Sequence, residues 1–319
     1  ARGGLVSQFG LTVVQADGQN VRPVTVHELR MGAAETYDVI VQPREEKPYT
    51  IFAEAMDRSG YAAGTLAPGE GMRGPIPPRR KRPLRSMKDM GMVHNGGGHA
   101  GHEMPEQKTD APVAEHAGHH GMQHGEHAAQ QAPVPGYRKV TVRHGPDHHG
   151  PGNAAVAEVA TGRLDEPGTG LEDAGWRVLV YTDLHRLEPD RDLRPPQHEM
   201  ELHLTGNMER NMWSINGKKF SEAPEPIPLR LAGKTRIVLV NDTMMDHPMH
   251  MHGMWMVLDN GSGAHNPYKH TILVKPGERL WFDVTPDEPG PFVFHCHLLF
   301  HMEFGMFRIF RVAAPEPAT

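Results

Sequence analysis

Two short stretches in which histidine alternates with sulfur residues restrict this chain more than any other feature. They are His247-Pro248-Met249-His250-Met251-His252 and His295-Cys296-His297. An extended strand sends successive side chains to opposite faces, so His250 and His252 share one side, and Cys296 faces away from His295 and His297. Two such strands laid side by side can build a mononuclear metal site on one face and a multinuclear site on the other. The backbone of Cys296 and its neighbours is then a short covalent bridge between them. The fold must be one that pairs these strands, and only a β-sheet does so.

The rest of the sequence is compatible with that demand. Between Leu11 and Met56 the runs LTVVQ, VRPVTVHEL, TYDVIVQP and YTIFAEAM read as four strands separated by turn-forming residues. A closed sandwich needs roughly seven or eight strands, so residues 1–72 are expected to be the later half of a β-domain. Between Gly175 and Val312 a second set reads as one Greek-key sandwich: WRVLVYTDL, HEMELHLTG, MWSINGKKF, IPLRLAGKTRIVLVND, MHGMWMVLD, KHTILVKPGERLWFDV, PFVFHCHLL and GMFRIFRV. Asn216-Gly217, Asn260-Gly261 and Pro276-Gly277 punctuate the runs. The expected fold is all-β, with a complete C-terminal domain over residues 137–319.

Residues 73–136 differ in character. From PIPPRRKRP onward the tract is rich in Gly, Pro, Ala, His and Met and shows no apolar periodicity, so it is read as a flexible linker. Met87, Met90, Met92, His94, His99, His102, Met104, His116, His119, His120, Met122, His124 and His127 recur in it, which suits a weak copper-collecting tether. Over the whole chain there are 23 His and 19 Met but one Cys. An intrachain disulfide is therefore excluded, and thioethers in such number favour copper over harder metals. A net charge of −6 argues against nucleic acid as a partner. No apolar run is long enough for a membrane span, and Ala1-Arg2-Gly3-Gly4 does not open a signal peptide.

The donor set can be read further. A thiolate, two imidazoles and a weak thioether form the trigonal site with an axial Met that suits copper electron transfer. Cys296 supplies the thiolate, His301 one imidazole and Met306 the thioether; the second imidazole comes from HPMHMHG. A single His-x-His would be read as ordinary histidines. Two such triplets together with the chain's one Cys and its spaced His and Met are not.

These motifs, HPMHMHG and HCHLLFHMEFGM, resemble the two C-terminal copper motifs of multicopper oxidases. LTGNMERNMWSINGKKFSE, LVNDTMMDHPMHMHGMW and the Met/His-rich linker resemble the copper-resistance protein A branch, and ADGQNVRPVTVHELRMGAAETYDVIVQP is similar to the later part of that family's middle cupredoxin domain. The resemblance implies cupredoxin-like Greek-key sandwiches. It implies type 1 copper on His247, Cys296, His301 and Met306, type 2 copper on His250, and the paired type 3 coppers on His252, His295 and His297. It further implies electron transfer through Cys296, His295 and His297 from a reducing substrate, cuprous ion or a phenol, to dioxygen, in the bacterial periplasm. The family completes its cluster with two further His-x-His motifs in an N-terminal cupredoxin domain, whereas residues 1–72 contain only His27. The chain is accordingly expected to be the C-terminal part of a larger oxidase, with the N-terminal half as partner. Met302 stands where some cuprous oxidases carry an acid, and Glu303 is next to it.

Other residues are given ordinary roles. Most of Met244, Met245, Met249, Met251, Met254 and Met256 are expected in the core, with one or two available to an incoming cuprous ion. Asp246 is a candidate to orient His247. Trp213, Trp255 and Trp281 are read as packing aromatics, and His144, His148, His149, His185, His198, His203, His265 and His270 as histidines without a metal role. A copper-sequestering protein without turnover is the competing function.

Overall fold

The computed structural model describes residues 3–92, 136–145, 149 and 153–313. The tract from His94 to His127 lies outside the described residues, as does His148.

The N-terminal sheet is built from β1 (Gly3–Ala16), β2 (Gln19–Met31), β3 (Tyr37–Val41), β4 (Tyr49–Ala55) and β5 (Tyr61–Leu66). The order is β2-β1-β4-β5, with β3 also against β1. An irregularity between Val6 and Leu11 lets the first part of β1 pair with β4 and the second with β3. Asp17 and Gly18 close the β1–β2 hairpin with φ of 49° and 75°, the backbone that a two-residue turn between twisted strands requires. The sequence announces four of these strands. The fifth, β5, is exposed along almost its whole length and so carries no apolar alternation to read.

The stretch 79–92, expected to be part of a free linker, is tied down. Arg80 pairs with Glu28 at 2.7 Å and with Glu54 at 3.1 Å, both carboxylates fully buried. Asp89 meets Arg163 at 2.8 Å with both side chains inaccessible. The charged residues that suggested solvation instead satisfy one another against the sheet.

The C-terminal region begins with a ribbon of β6 (Thr141–Arg143) and β7 (Val159–Thr161). It continues with β8 (His198–Asn207), β9 (Met212–Ile215), β10 (Ile227–Leu229), β11 (Thr235–Asn241), β12 (His247–Met251), β13 (Met256–Leu258), β14 (Tyr268–Lys269), β15 (Thr271–Val274), β16 (Arg279–Val284), β17 (Gly290–Cys296) and β18 (Phe307–Val312). The short helix α1 (Leu299–Glu303) lies between the last two. One sheet runs β10-β18-β17-β12-β15 and the other β14-β13-β16-β11-β8-β9. Their apolar faces supply Ile237, Leu239, Phe282, Phe294 and Phe310, each fully buried. This is the expected cupredoxin-like sandwich.

WRVLVYTDL departs from expectation. Its apolar residues are buried, but they form an isolated bridge from Val178 to Glu28 and a 3₁₀ turn at Tyr181–Asp183. The segment lies against β2, where Leu179 N–H donates to the Glu28 carbonyl at 2.9 Å. Apolar content alone predicts burial, not which strand is neighbour.

Between the N-terminal sheet and the sandwich sits a buried charge cluster. Lys269 Nζ lies 3.0 Å from Asp17 and 3.1 Å from Glu35, all three fully buried. Asp17 also accepts the backbone N–H groups of His270 and Thr271 at 3.0 and 3.1 Å. An isolated ammonium would be costly to bury; two carboxylates make it tolerable.

Candidate metal centre

Strand register puts the two motifs together. β12 runs antiparallel to β17 with Met249 opposite Cys296 and His250 opposite His295. Directly opposed residues project to the same face. His247, Met249 and Met251 therefore accompany Cys296 into the core, where all four are at most 1% exposed. His250 and His295 emerge together on the other face, as the alternation implies.

On the core face three donors form a triangle. Cys296 Sγ is 3.6 Å from Nδ1 of both His247 and His301, and the two imidazole nitrogens are 3.1 Å apart. His301 is delivered by α1, one turn beyond the end of β17. The chain then returns through Gly305 to Met306, whose N–H donates to the His301 carbonyl at 2.9 Å and whose carbonyl accepts from Cys296 N–H at 3.1 Å. Met306 is fully buried. Gly305 has φ 120°, and a Cβ there would approach Lys219 Cβ at 2.7 Å and the Trp213 carbonyl at 2.8 Å, so only glycine fits this return. The donor chemistry of the triangle, one potential thiolate and two imidazoles, fits copper.

Two further residues shape this triangle, Thr243, which the sequence did not single out, and Trp213, which it gave only a packing role. Thr243 Oγ1 lies 2.6 Å from His247 Nε2, which holds the ring with Nδ1 toward the sulfur. Trp213, buried as expected, stacks on His301 with ring centroids 3.8 Å apart and meets His247 edge-on at 5.5 Å. Asp246, the candidate for orienting His247, ion-pairs with Arg85 at 3.3 Å and Arg30 at 3.9 Å. Trp255 packs against Tyr268 and His270, with ring centroids 6.3 and 6.2 Å away, while staying 39% exposed, and Trp281 donates to Asp259 at 2.8 Å.

On the opposite face the histidines converge. His252 Nε2 and His295 Nε2 are 3.1 Å apart. The His250 ring lies 4.7 Å from His252 and 5.6 Å from both His295 and His297, centroid to centroid. His250 Nδ1 donates to the His270 carbonyl at 2.7 Å, and His295 Nδ1 to the Cys296 carbonyl at 3.0 Å. With those protons fixed on Nδ1, each Nε2 carries a lone pair for a metal. Burial pushes the pKa of His250 down to about 4, against the opposing bond to the His270 carbonyl, and burial also lowers that of His295. Both rings are thus neutral, the form in which imidazole ligates. His252 is exposed, so this face is open on that side.

Beside the triangle a cleft reaches His301. Its lining includes the thioethers of Met56, Met208, Met244 and Met245, with Asp57 and the guanidinium groups of Arg30, Arg82 and Arg85. Of the six methionines crowding the first motif, Met249, Met251, Met254 and Met256 are buried in the core and Met244 is 37% exposed. No helix among the described residues is long and apolar enough to cross a membrane.

Comparison with known proteins gives the family of the chain. Residues 5–70 and 193–316 each match a family model described as multicopper oxidase. The chain is 44% identical to a copper resistance protein A homolog of Pseudomonas syringae pv. tomato, over 95% of this chain and 50% of that protein. It is likewise 44% identical to copper resistance protein A of Escherichia coli, over 95% of this chain and 52% of that one. The chain thus spans about half the length of these curated relatives. Among solved structures, Fet3p, a multicopper oxidase that functions in iron import, superposes with TM-score 0.57 over 98% of this chain and 53% of its own, at 13% identity. A multicopper oxidase from Campylobacter jejuni gives TM-score 0.52 over 98% of this chain and 51% of its own, at 14% identity. These structural likenesses speak to fold alone; with the sequence matches and the Cys/His triangle they lead to one conclusion. The chain belongs to the multicopper oxidase family, whose enzymes use copper.

Proposed function

We propose that this chain carries the electron-accepting half of a cuprous oxidase acting in periplasmic copper resistance. His247, Cys296, His301 and Met306 would hold type 1 copper, His250 type 2 copper, and His252, His295 and His297 the type 3 pair. Bound copper would supply one-electron redox chemistry at the first set and four-electron reduction of dioxygen to water at the second. The observation that carries the reading is the position of Cys296: its sulfur is in the buried triangle, and its two covalent neighbours stand on the opposite face. An electron arriving at the sulfur has a through-bond route of a few bonds to either imidazole.

The residues around the triangle do the rest. The thioethers of Met56, Met208, Met244 and Met245 can receive a soft cuprous ion and pass it toward His301, whose ring lies at the cleft wall. Thr243 and Trp213 hold the two imidazoles in place, so that little reorganisation accompanies a change of charge. On the other face, the neutral tautomers of His250 and His295 leave their Nε2 atoms ready to bind. In domain terms we assign residues 1–72 to the later part of a middle cupredoxin domain, 73–136 to a connecting tract, and 137–319 to the C-terminal cupredoxin domain. The remaining cluster ligands would come from an N-terminal cupredoxin half.

The test is oxygen consumption by the chain together with that half, with cuprous ion or a phenol as reductant. Substitution of Met244 and Met245 by Leu should raise KM for cuprous ion several-fold and leave phenol oxidation unchanged. Equal loss for both substrates would overturn the cuprous assignment, and absence of any oxygen uptake would favour a copper-sequestering role.

A further inference from the structure

A second cluster of metal-binding side chains lies outside the triangle and outside the face opposite it. His144, His149, His203 and Asp242 each offer one donor atom, and these atoms all lie within 4.8 Å of one another. His203 stands on β8 and Asp242 immediately after β11, and these strands are parallel neighbours with Val240 opposite His203. Asp242 N–H is further tied to the Leu204 carbonyl at 3.0 Å. Two donors are thus fixed by the sheet. The other two lie on the segment that follows β6 and close over them.

Asp242 is the hub of the cluster, hydrogen-bonded to His203 and His144 and close to His149. Asp242 Oδ2 is 2.7 Å from His203 Nδ1 and 3.0 Å from His149 Nδ1, while Oδ1 is 2.9 Å from His144 Nε2. Both ring nitrogens of His149 are buried, and neither makes a well-directed hydrogen bond. His149 Nδ1 thus stands 3.0 Å from Asp242 Oδ2 without a well-directed hydrogen bond to it. His149 is 2% exposed and Asp242 is 2% exposed. Native proteins rarely leave a buried imidazole in that state without an ion or water to satisfy it. The three rings pack with centroids 5.1 to 5.4 Å apart. A tetrahedral shell with bonds of about 2.0–2.1 Å places neighbouring donors about 3.4 Å apart, a separation inside the 4.8 Å span of these four donor atoms.

The surrounding groups are those that support metal ligands. Glu201 Oε1 lies 3.0 Å from His203 Nε2, fixing the proton there and leaving Nδ1 to ligate. Glu201 is held in turn by Arg279 at 3.1 Å. Ala157 N–H donates to Asp242 Oδ1 at 3.1 Å.

We propose that His144, His149, His203 and Asp242 form a closed, four-coordinate structural site for a divalent cation of borderline softness, Zn²⁺ or Cu²⁺. Three imidazoles and a carboxylate without sulfur do not select Cu⁺, and four protein donors leave no position for a substrate. The ion would clamp the segment after β6 onto β8 and β11. It would also anchor the start of the loop 241–246, which carries Thr243 to His247.

The test uses the full chain. Crystals equilibrated with Zn²⁺ are measured on both sides of the zinc absorption edge, and in a second arm with Cu²⁺ at the copper edge. An anomalous peak among the four side chains is expected, and the arm with the stronger peak under competition names the metal. In solution, the chain and its His144→Ala/His149→Ala variant are dialysed against Zn²⁺ with a weak chelator. The variant should retain one ion fewer per chain, because histidines elsewhere contribute equally to both, and zinc should raise Tm of the parent more than that of the variant. Crystals that bind zinc elsewhere but show no peak here, or equal stoichiometry in folded parent and variant, would overturn the proposal. Should the variant not fold, the anomalous maps of the parent decide alone.

Discussion

A buried thiol flanked by two imidazole nitrogens at 3.6 Å can be tested one atom at a time. Cys296→Ser should abolish the intense blue absorption expected of the copper-loaded chain while preserving the fold, since the band arises from the copper–thiolate bond. Visible absorption with circular dichroism checks it, and blue colour in that variant would refute the ligand. Met306→Leu should keep the colour and raise the reduction potential, because a thioether donates some electron density to copper. Trp213→Ala removes the ring stacked on His301 and should cost roughly 3–5 kcal/mol in denaturant unfolding, with weaker copper retention. At this scale the sequence was legible where spacing maps directly onto geometry: Cys296, His301 and Met306 belong to one short motif, and the alternation of His250 and His295 survives in the register. Thr243 and Trp213 were not legible as partners of the imidazoles, because the loop before β12 and the pairing of β8 with β9 bring them there. The same is true of His144, His149, His203 and Asp242. Three histidines and an aspartate scattered over about a hundred residues become a cluster only when β8 and β11 lie side by side.

Among elements, the polar contacts that lock loops to sheets set how stability responds to acid. Glu166 is held by Lys139 at 2.7 Å, by Arg163 at 2.8 Å and by Lys88. Burial alone would raise its pKa, but these three cations outweigh burial and hold the carboxyl at about 2. A depressed folded-state value means that the contribution is complete above the unfolded pKa of about 4.3 and is lost as pH falls from there toward 2. The shift corresponds to about 3 kcal/mol at most. Unfolding by urea should show that loss between pH 5 and 2, and Glu166→Gln should flatten it; an unchanged slope in the variant would place the acid sensitivity elsewhere. The fully buried Lys269 should be less forgiving. Lys269→Met leaves Asp17 and Glu35 as uncompensated buried charges, with an expected cost of about 3–5 kcal/mol, measurable as a fall in the denaturation midpoint. Because Asp17 also positions the backbone of His270, whose carbonyl receives His250 Nδ1, that variant should disturb the open histidine face before the triangle. Strand positions in the sandwich were legible from apolar alternation and turn residues, whereas β5 and the bridge at Val178 were not. One lacks alternation and the other has burial without a ladder, and neither property is encoded in a local period. The charge-rich stretch 79–92 misled for the converse reason, since its arginines satisfy buried acids instead of water.

For the molecule as a whole, the two metal faces differ in how much of each this chain supplies. His247, Cys296, His301 and Met306 all lie within one sandwich, so the triangle can be completed by the chain itself. His250, His252, His295 and His297 line one side of the second site, and residues 1–72 contain only His27. Coppers held by too few imidazoles bind weakly and lack an enforced spacing. The relatives matched here are about twice as long as this chain, which leaves room in them for a domain bearing the remaining ligands. The 319-residue chain reconstituted with copper should therefore turn blue, with one tightly held copper in the triangle, yet consume dioxygen slowly or not at all with cuprous ion as donor. Addition of an N-terminal cupredoxin half should restore turnover by at least an order of magnitude without shifting the blue band. Copper in the linker histidines and in the cluster of His144, His149 and His203 would add to total metal but not to the blue absorbance, so the two readings must be taken on the same sample. Steady oxygen reduction by the chain alone, with all four coppers of the two faces retained, would show that a second domain is not needed to complete the open face.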